Sequence, residues 1–208
     1  MSATGLVLFG FVVMHMLGNL QIFLGAEALN RYAEMLQGVG ELLWVARVVL
    51  LTCLILHVGL AVILTIENRR ARPIGYQMKR AVKASFASKT MMLSGSAILF
   101  FIVYHLLHYT FGKIHPEYFD LIDAQGRHDV YSMVVAGFKH LPVSLTYIVA
   151  MALLALHLDH GAAVWFQSLG LADDSARPFM DTFGRVAAIA IFVGNTSIPI
   201  AVMTGVLR

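Results

Sequence analysis

Apolar residues along this chain gather into five long runs separated by short polar stretches. A helix needs about 20 mostly apolar residues to cross the hydrocarbon of a bilayer. Each run is of that order: residues 4–24, 42–66, 90–111, 141–166 and 183–207. Nothing between them is long enough for a soluble domain, and no internal repeat stands out. Residues 1–208 therefore read as a single membrane domain, an all-α bundle of five transmembrane helices. The last run carries Asn195, Thr196 and Ser197 just before Ile198 and Pro199. Proline removes a backbone donor and bends a helix, and neighbouring polar groups can satisfy freed carbonyls. A structural kink is the expectation there.

Composition agrees with lipid as the main solvent. Of 208 residues, 59% are hydrophobic and 13% charged, about half the charged fraction of an average soluble domain. The net charge of +3 does not point to nucleic acid, because the basic residues cluster between apolar runs instead of covering a soluble surface. Arg69, Arg70, Arg72, Lys79, Arg80, Lys83 and Lys89 all lie between Glu67 and Thr90, whereas the segment Ala26–Glu41 sets Arg31 against Glu27, Glu34 and Glu41. Basic loops stay in the cytoplasm. This predicts a cytoplasmic N-terminus and an external C-terminus, although Lys113, Arg127 and Lys139 fall on the outer side. Gly75–Lys89 alternates apolar and basic residues at helical spacing, as a surface-lying helix or a partner's docking segment would; a solvated connector explains it equally. Cys53 is the single cysteine, so the chain can form no internal disulfide and cannot hold an iron–sulfur cluster alone. No cleavable targeting segment is expected, since the first run carries His15 and lacks a basic start.

Six of the nine histidines fall within the runs: His15, His57, His105, His108, His157 and His160. Ionisable groups at that depth are costly and are functional candidates by default. Neutral imidazole is a good axial ligand for haem iron, and four successive spans each carry at least one. At about 1.5 Å of rise per residue, His15 and His105 lie roughly 15 and 21 Å from the inner boundary. His57 and His157 lie roughly 14 and 10 Å from it. Depth pairs His57 with His157 nearer the cytoplasm and His15 with His105 further out, with little difference between His15 and His57. His108 and His160 sit one turn from His105 and His157, on the same helix faces; they can replace them as ligands, meet haem propionates or bond near the interface. Arg47, a turn or so into the second span, can snorkel to the interface, pair with a propionate or bind a quinone carbonyl.

The strings TGLVLFGFVVMHMLGNL around His15, HVGLAVILTIENRRARPIGY after His57, SKTMMLSGSAILFFIVYHLLHY and HLDHGAAVWFQSLG occur in an order that resembles the two-haem cytochrome b membrane anchor of succinate:quinone oxidoreductases, the succinate dehydrogenase/fumarate reductase family in its single-anchor form. The resemblance extends over nearly the whole chain. It implies two haems b, the distal one on His15 and His105 and the proximal one on His57 and His157. It also implies cytoplasmic partners, a flavoprotein with FAD and an iron–sulfur subunit, in the inner membrane of a prokaryote. Dicarboxylate chemistry would lie on the flavoprotein, and quinone, usually menaquinone in this form, would react at this chain. Some fumarate-reducing members carry a glutamate two residues before the fourth span's proximal ligand; here that position is Ala155, so any such proton route would need another residue.

A quinone site calls for an apolar pocket with a few polar groups. At the outer end the candidates are Gln21, Asn30, Glu34 and Glu41, with Asn19 and Glu27 beside them. Three rival readings remain: another two-haem transmembrane electron-transfer cytochrome, a haem-free transporter or proton channel with histidine relays, or a purely structural anchor whose histidines are empty. Few carboxylates in the spans are available to share a relay.

Overall fold

The computed structural model describes residues 1–71, 86–168 and 177–208. All of the named secondary structure in them is helical. Helix α1 spans Ser2–Asn19 and tightens into a 3₁₀ turn, Leu20–Leu24. Helix α2 follows at Ala26–Gly38, then α3 at Glu41–Arg70 and α4 at Phe86–His105. A single π-helical turn, Leu106–Thr110, extends α4. A short helix α5, Val130–Phe138, precedes α6 at Leu141–Ser168 and α7 at Arg177–Met203. Five of these segments are long and apolar enough to cross a membrane: Ser2–Leu24, Glu41–Arg70, Thr90–Thr110, Leu141–Gly161 and Pro178–Met203. In such a segment each backbone N–H and C=O is satisfied inside the helix, which a hydrocarbon solvent demands.

Several boundaries differ from the apolar runs. Helix α3 continues four residues past Ile66 to Arg70, because Glu67, Asn68 and two arginines extend a helix as readily as they end a hydrophobic stretch. Helix α7 begins at Arg177 and ends at Met203, before Gly205 turns the chain at φ 75°. The segment between the first two spans is not a loop. It is helix α2, set off by Gly25 (φ 101°) and Gly40 (φ 56°), whose positive φ values a side chain would resist. The amphipathic Gly75–Lys89 segment lies outside the described residues as far as residue 85; from Phe86 onward it belongs to α4.

The tightest packing is at one end of the bundle. There Ile22, Leu29, Val135, Phe138, Val143, Tyr147, Ile198, Ala201, Val202 and Leu207 form one buried cluster, closed over by α2 and α5. We call this the capped end. Helix α7 packs on α6, and α6 on α4, while α3 rests chiefly on α1. Helix α3 has no buried residue. Inside α7, Asn195, Thr196 and Ser197 donate to the carbonyls of Ile191, Phe192 and Gly194 (2.9, 2.7 and 2.7 Å). They bond back along their own turn, and the helix runs on through Pro199.

Candidate functional site

Four histidines from four helices stand in two facing pairs. The His57 ring on α3 and the His157 ring on α6 have centroids 6.4 Å apart at a mutual angle of 64°. The His15 ring on α1 and the His105 ring on α4 are 5.7 Å apart at 84°.

The His57–His157 pair is built the same way on both sides. Nδ1 of His57 lies 3.2 Å from the Thr4 hydroxyl on α1, and Nδ1 of His157 lies 3.3 Å from the Ser94 hydroxyl on α4. The residue after each hydroxyl is glycine. A Cβ at Gly5 would sit 3.4 Å from Cε1 of His57, and one at Gly95 would sit 3.3 Å from Cε1 of His157. The missing side chain lets the Nδ1–Cε1 side of each ring come close to the neighbouring helix, the use that close-packed membrane helices make of small residues.

The His15–His105 pair lies toward the capped end. Nδ1 of His105 is 3.1 Å from the Tyr147 phenol on α6, and Nδ1 of His108 is 3.2 Å from the same oxygen. His105 and His108 do share a helix face, but only His105 meets His15. The π turn that begins at Leu106 moves the backbone after His105, and His108 stacks on Tyr109 (3.9 Å) and approaches His115 (5.9 Å). Single π turns of this kind often sit at functional positions. Beyond His108, the rings of His115 and His140 stack at 4.6 Å, and Tyr118 Oη lies 3.2 Å from His140 Nε2.

Along α1, Gly5 marks the level of His57, and His15 follows ten residues later. Along α4, Gly95 marks the level of His157, and His105 follows ten residues later. Both helices thus set the two pairs about 15 Å apart along the bundle. The structure corrects the sequence depths here. The long α3 carries His57 down beside Thr4, well below His15 and not level with it.

Helix α1 packs with α3 and α4 with α6, while the histidines bridge α1 to α4 and α3 to α6. Among the described residues no group of three or more His, Cys, Asp or Glu side chains converges on a metal-sized centre. Two facing imidazoles supply only two ligands. Bonded to one metal from opposite sides at about 2 Å each, their centroids would stand about 6 Å apart. Both pairs meet that spacing. Two imidazoles at that spacing are the protein ligands that a haem iron would need from this chain.

The other sequence candidates stand apart from the pairs. His160 is half-buried one turn along α6. Arg47 is exposed on α3, its guanidinium 4.9 Å above the Trp44 ring. Gln21 is half-buried in the 3₁₀ turn after α1, next to Asn19, and Glu41 is exposed at the start of α3. Asn30 is buried, and its amide is engaged on both sides. Nδ2 donates to Asp123 (3.3 Å) and Asp129 (3.0 Å), while Oδ1 accepts from the Tyr131 N–H (2.9 Å). Arg127 donates to Glu27 (2.6 Å) and Asp123 (2.8 Å), with Glu34 at 4.0 Å. A recess of about 260 Å³ beside them is lined by Asn30, Glu34, Gln37, Gln125, Gly126, Arg127 and His128. That lining is mostly polar, unlike the apolar pocket a quinone ring needs. Arg69 and Arg70 end α3, exposed; Arg72, Lys79, Arg80 and Lys83 lie outside the described residues.

Thr4, Ser94 and Tyr147 were not among the sequence candidates. One signal was present: Thr4-Gly5 followed by His15, and Ser94-Gly95 followed by His105, share one spacing of Ser/Thr-Gly, nine residues, then His. No protein-family model, curated protein or solved structure matches this chain.

Proposed function

We propose that this chain is the membrane-anchor cytochrome b subunit of a succinate dehydrogenase/fumarate reductase complex, holding one haem b between His57 and His157 and another between His15 and His105. The observation that carries this reading is the pair of facing imidazoles at each of two levels, with Nδ1 of His57, His157 and His105 each beside a hydroxyl. An imidazole so held has Nε2 left for a metal, and such outer partners are the usual companions of ligating histidines. Haem bound by these residues would supply one-electron redox chemistry.

The chain's own residues would perform three tasks. The paired histidines would hold the iron. Hydroxyls fix ring orientation, and the apolar spans surround the pairs with hydrophobic side chains. Electrons would enter at the His57–His157 level from an iron–sulfur partner and leave at the His15–His105 level to quinone, with the reverse path for fumarate reduction. In this reading the capped end faces outward, the termini follow the positive-inside rule, and the basic residues from Arg69 to Lys89 face the partners in the cytoplasm. A lone Cys53 accords with clusters being carried by another subunit.

A pyridine haemochrome spectrum of the detergent-purified protein, with haem counted per chain, tests the central step. Two b-type haems per chain, low-spin in the intact protein, are expected; a folded protein with none would remove the reading. Reduction of both haems by succinate in the isolated complex then separates this assignment from a two-haem cytochrome that works without a flavoprotein. Glu34→Gln and Glu41→Gln, made in turn, test the quinone candidates, and unchanged quinone turnover in both would dismiss these two.

A further inference from the structure

Thr4 and Ser94 do more than touch a histidine. The Thr4 hydroxyl donates its proton to the Met1 carbonyl (2.7 Å), and the Ser94 hydroxyl donates its proton to the Met91 carbonyl (3.1 Å), each three residues back on its own helix. A hydroxyl has one proton. With that proton committed, each oxygen can meet Nδ1 of His57 or His157 only as an acceptor. Nδ1 must then carry a hydrogen, and in a neutral imidazole Nε2 is left with the lone pair. Ser94 is wholly buried, so no solvent molecule can take its place. Tyr147 differs, since its one proton is shared between His105 and His108 and leaves the direction of each bond free.

We propose that Thr4 and Ser94 are positioning residues that fix His57 and His157 in the Nδ1–H tautomer, presenting each Nε2 lone pair to the iron between them. The two hydroxyls come from different helices, α1 and α4, and reach different partners, α3 and α6. Each is followed by the glycine on which the same ring lies. The same arrangement on two unrelated helices marks a device built for these two rings. This inference rests on the haem reading above.

The test is a potentiometric titration of both haems in the intact complex for wild type, Thr4→Val, Thr4→Ser and Ser94→Ala. An N–H···O bond at Nδ1 makes the imidazole more basic, so losing it should raise the potential of the His57–His157 haem and weaken its retention about 10- to 100-fold. The His15–His105 haem should keep its wild-type potential, and Thr4→Ser should behave as wild type. Unchanged potentials in both Thr4→Val and Ser94→Ala, or equal shifts of both haems, would overturn the proposal. If wild type proves haem-free, the haem reading falls, and the tautomer is read directly from ¹⁵N spectra of histidine-labelled protein. Hydrogen on Nδ1 of His57 and His157 would uphold the positioning role, and hydrogen on Nε2 of either would end it.

Discussion

The phenol oxygen of Tyr147 stands 3.1 Å from Nδ1 of His105, the ring atom that Thr4 and Ser94 engage on the other two rings. Tyr147 is buried, and its ring packs edge-on against Phe101 and Phe138, each at 4.9 Å. Tyr147→Phe keeps that packing and removes only the hydroxyl. Two imidazoles would then lose a buried partner, a cost of about 1–3 kcal/mol. The variant should melt at a lower temperature and lose the His15–His105 haem first, which thermal unfolding followed with haem counting would reveal. Equal loss of both haems would count against a local role for this phenol.

Much of this layout is legible along the chain. The five apolar runs coincide with five helices because a span announces itself by length and hydropathy alone. The depth estimate orders His157 below His105 but leaves His15 and His57 nearly level, whereas the structure brings His15 beside His105 and His57 beside His157. Its weak point was the end of α3, where charged residues continue the helix past the apolar run. The hydroxyl partners were hidden for another reason: Thr4 meets His57 across 53 residues and Ser94 meets His157 across 63. Contacts of that range depend on which helix packs beside which, and hydropathy does not record it. Helix α2 escaped because its polar face resembles a loop when only apolar runs are sought.

Gly95 offers a second test of the ring geometry. A Cβ there would lie 3.3 Å from His157 Cε1, closer than side chains usually pack, and the γ carbons of valine would crowd the ring further. Gly95→Val should push His157 off its seat, cost about 1–3 kcal/mol through overpacking and deplete the His57–His157 haem selectively. Gly59 on α3 has nothing within 4 Å of its missing Cβ, so Gly59→Ala should leave both haems in place. Haem content and thermal stability, compared for the two variants, decide the matter; similar behaviour would argue against a ring seat at Gly95.

Asn30 divides a structural role from a quinone role. Its three hydrogen bonds tie α2 to Asp123, to Asp129 and to the first turn of α5. Asn30→Ala leaves the Tyr131 N–H without this acceptor at a 2%-exposed position, at a cost of about 1–3 kcal/mol. The expected result is reduced stability with quinone turnover per folded complex unchanged. Full stability with impaired turnover would return Asn30 to the quinone site.

Arg127 should make the attachment of α2 sensitive to acid. Its guanidinium donates to Glu27 and Asp123 and is itself held above its ordinary pKa, chiefly by Glu27. The hydrogen bond from Arg127 holds the Glu27 carboxyl below its usual 4.5. For Asp123 burial works upward, but bonds from Arg127 and from the Gln125 N–H outweigh it and leave the carboxyl below its usual 3.8. A carboxyl whose pKa is lowered on folding stabilises the fold above its unfolded value and loses that contribution as pH falls through its folded value. The α2 attachment should therefore be constant above about pH 5 and weaken progressively below pH 4.5 and 3.8 in turn. Glu27 is largely exposed, so its pair contributes little to the fold, and less in high salt. Hydrogen exchange of α2 amides against pH would display this loss. Arg127→Met should raise exchange at neutral pH and flatten the acid dependence; a variant that keeps the wild-type acid profile would place its origin elsewhere.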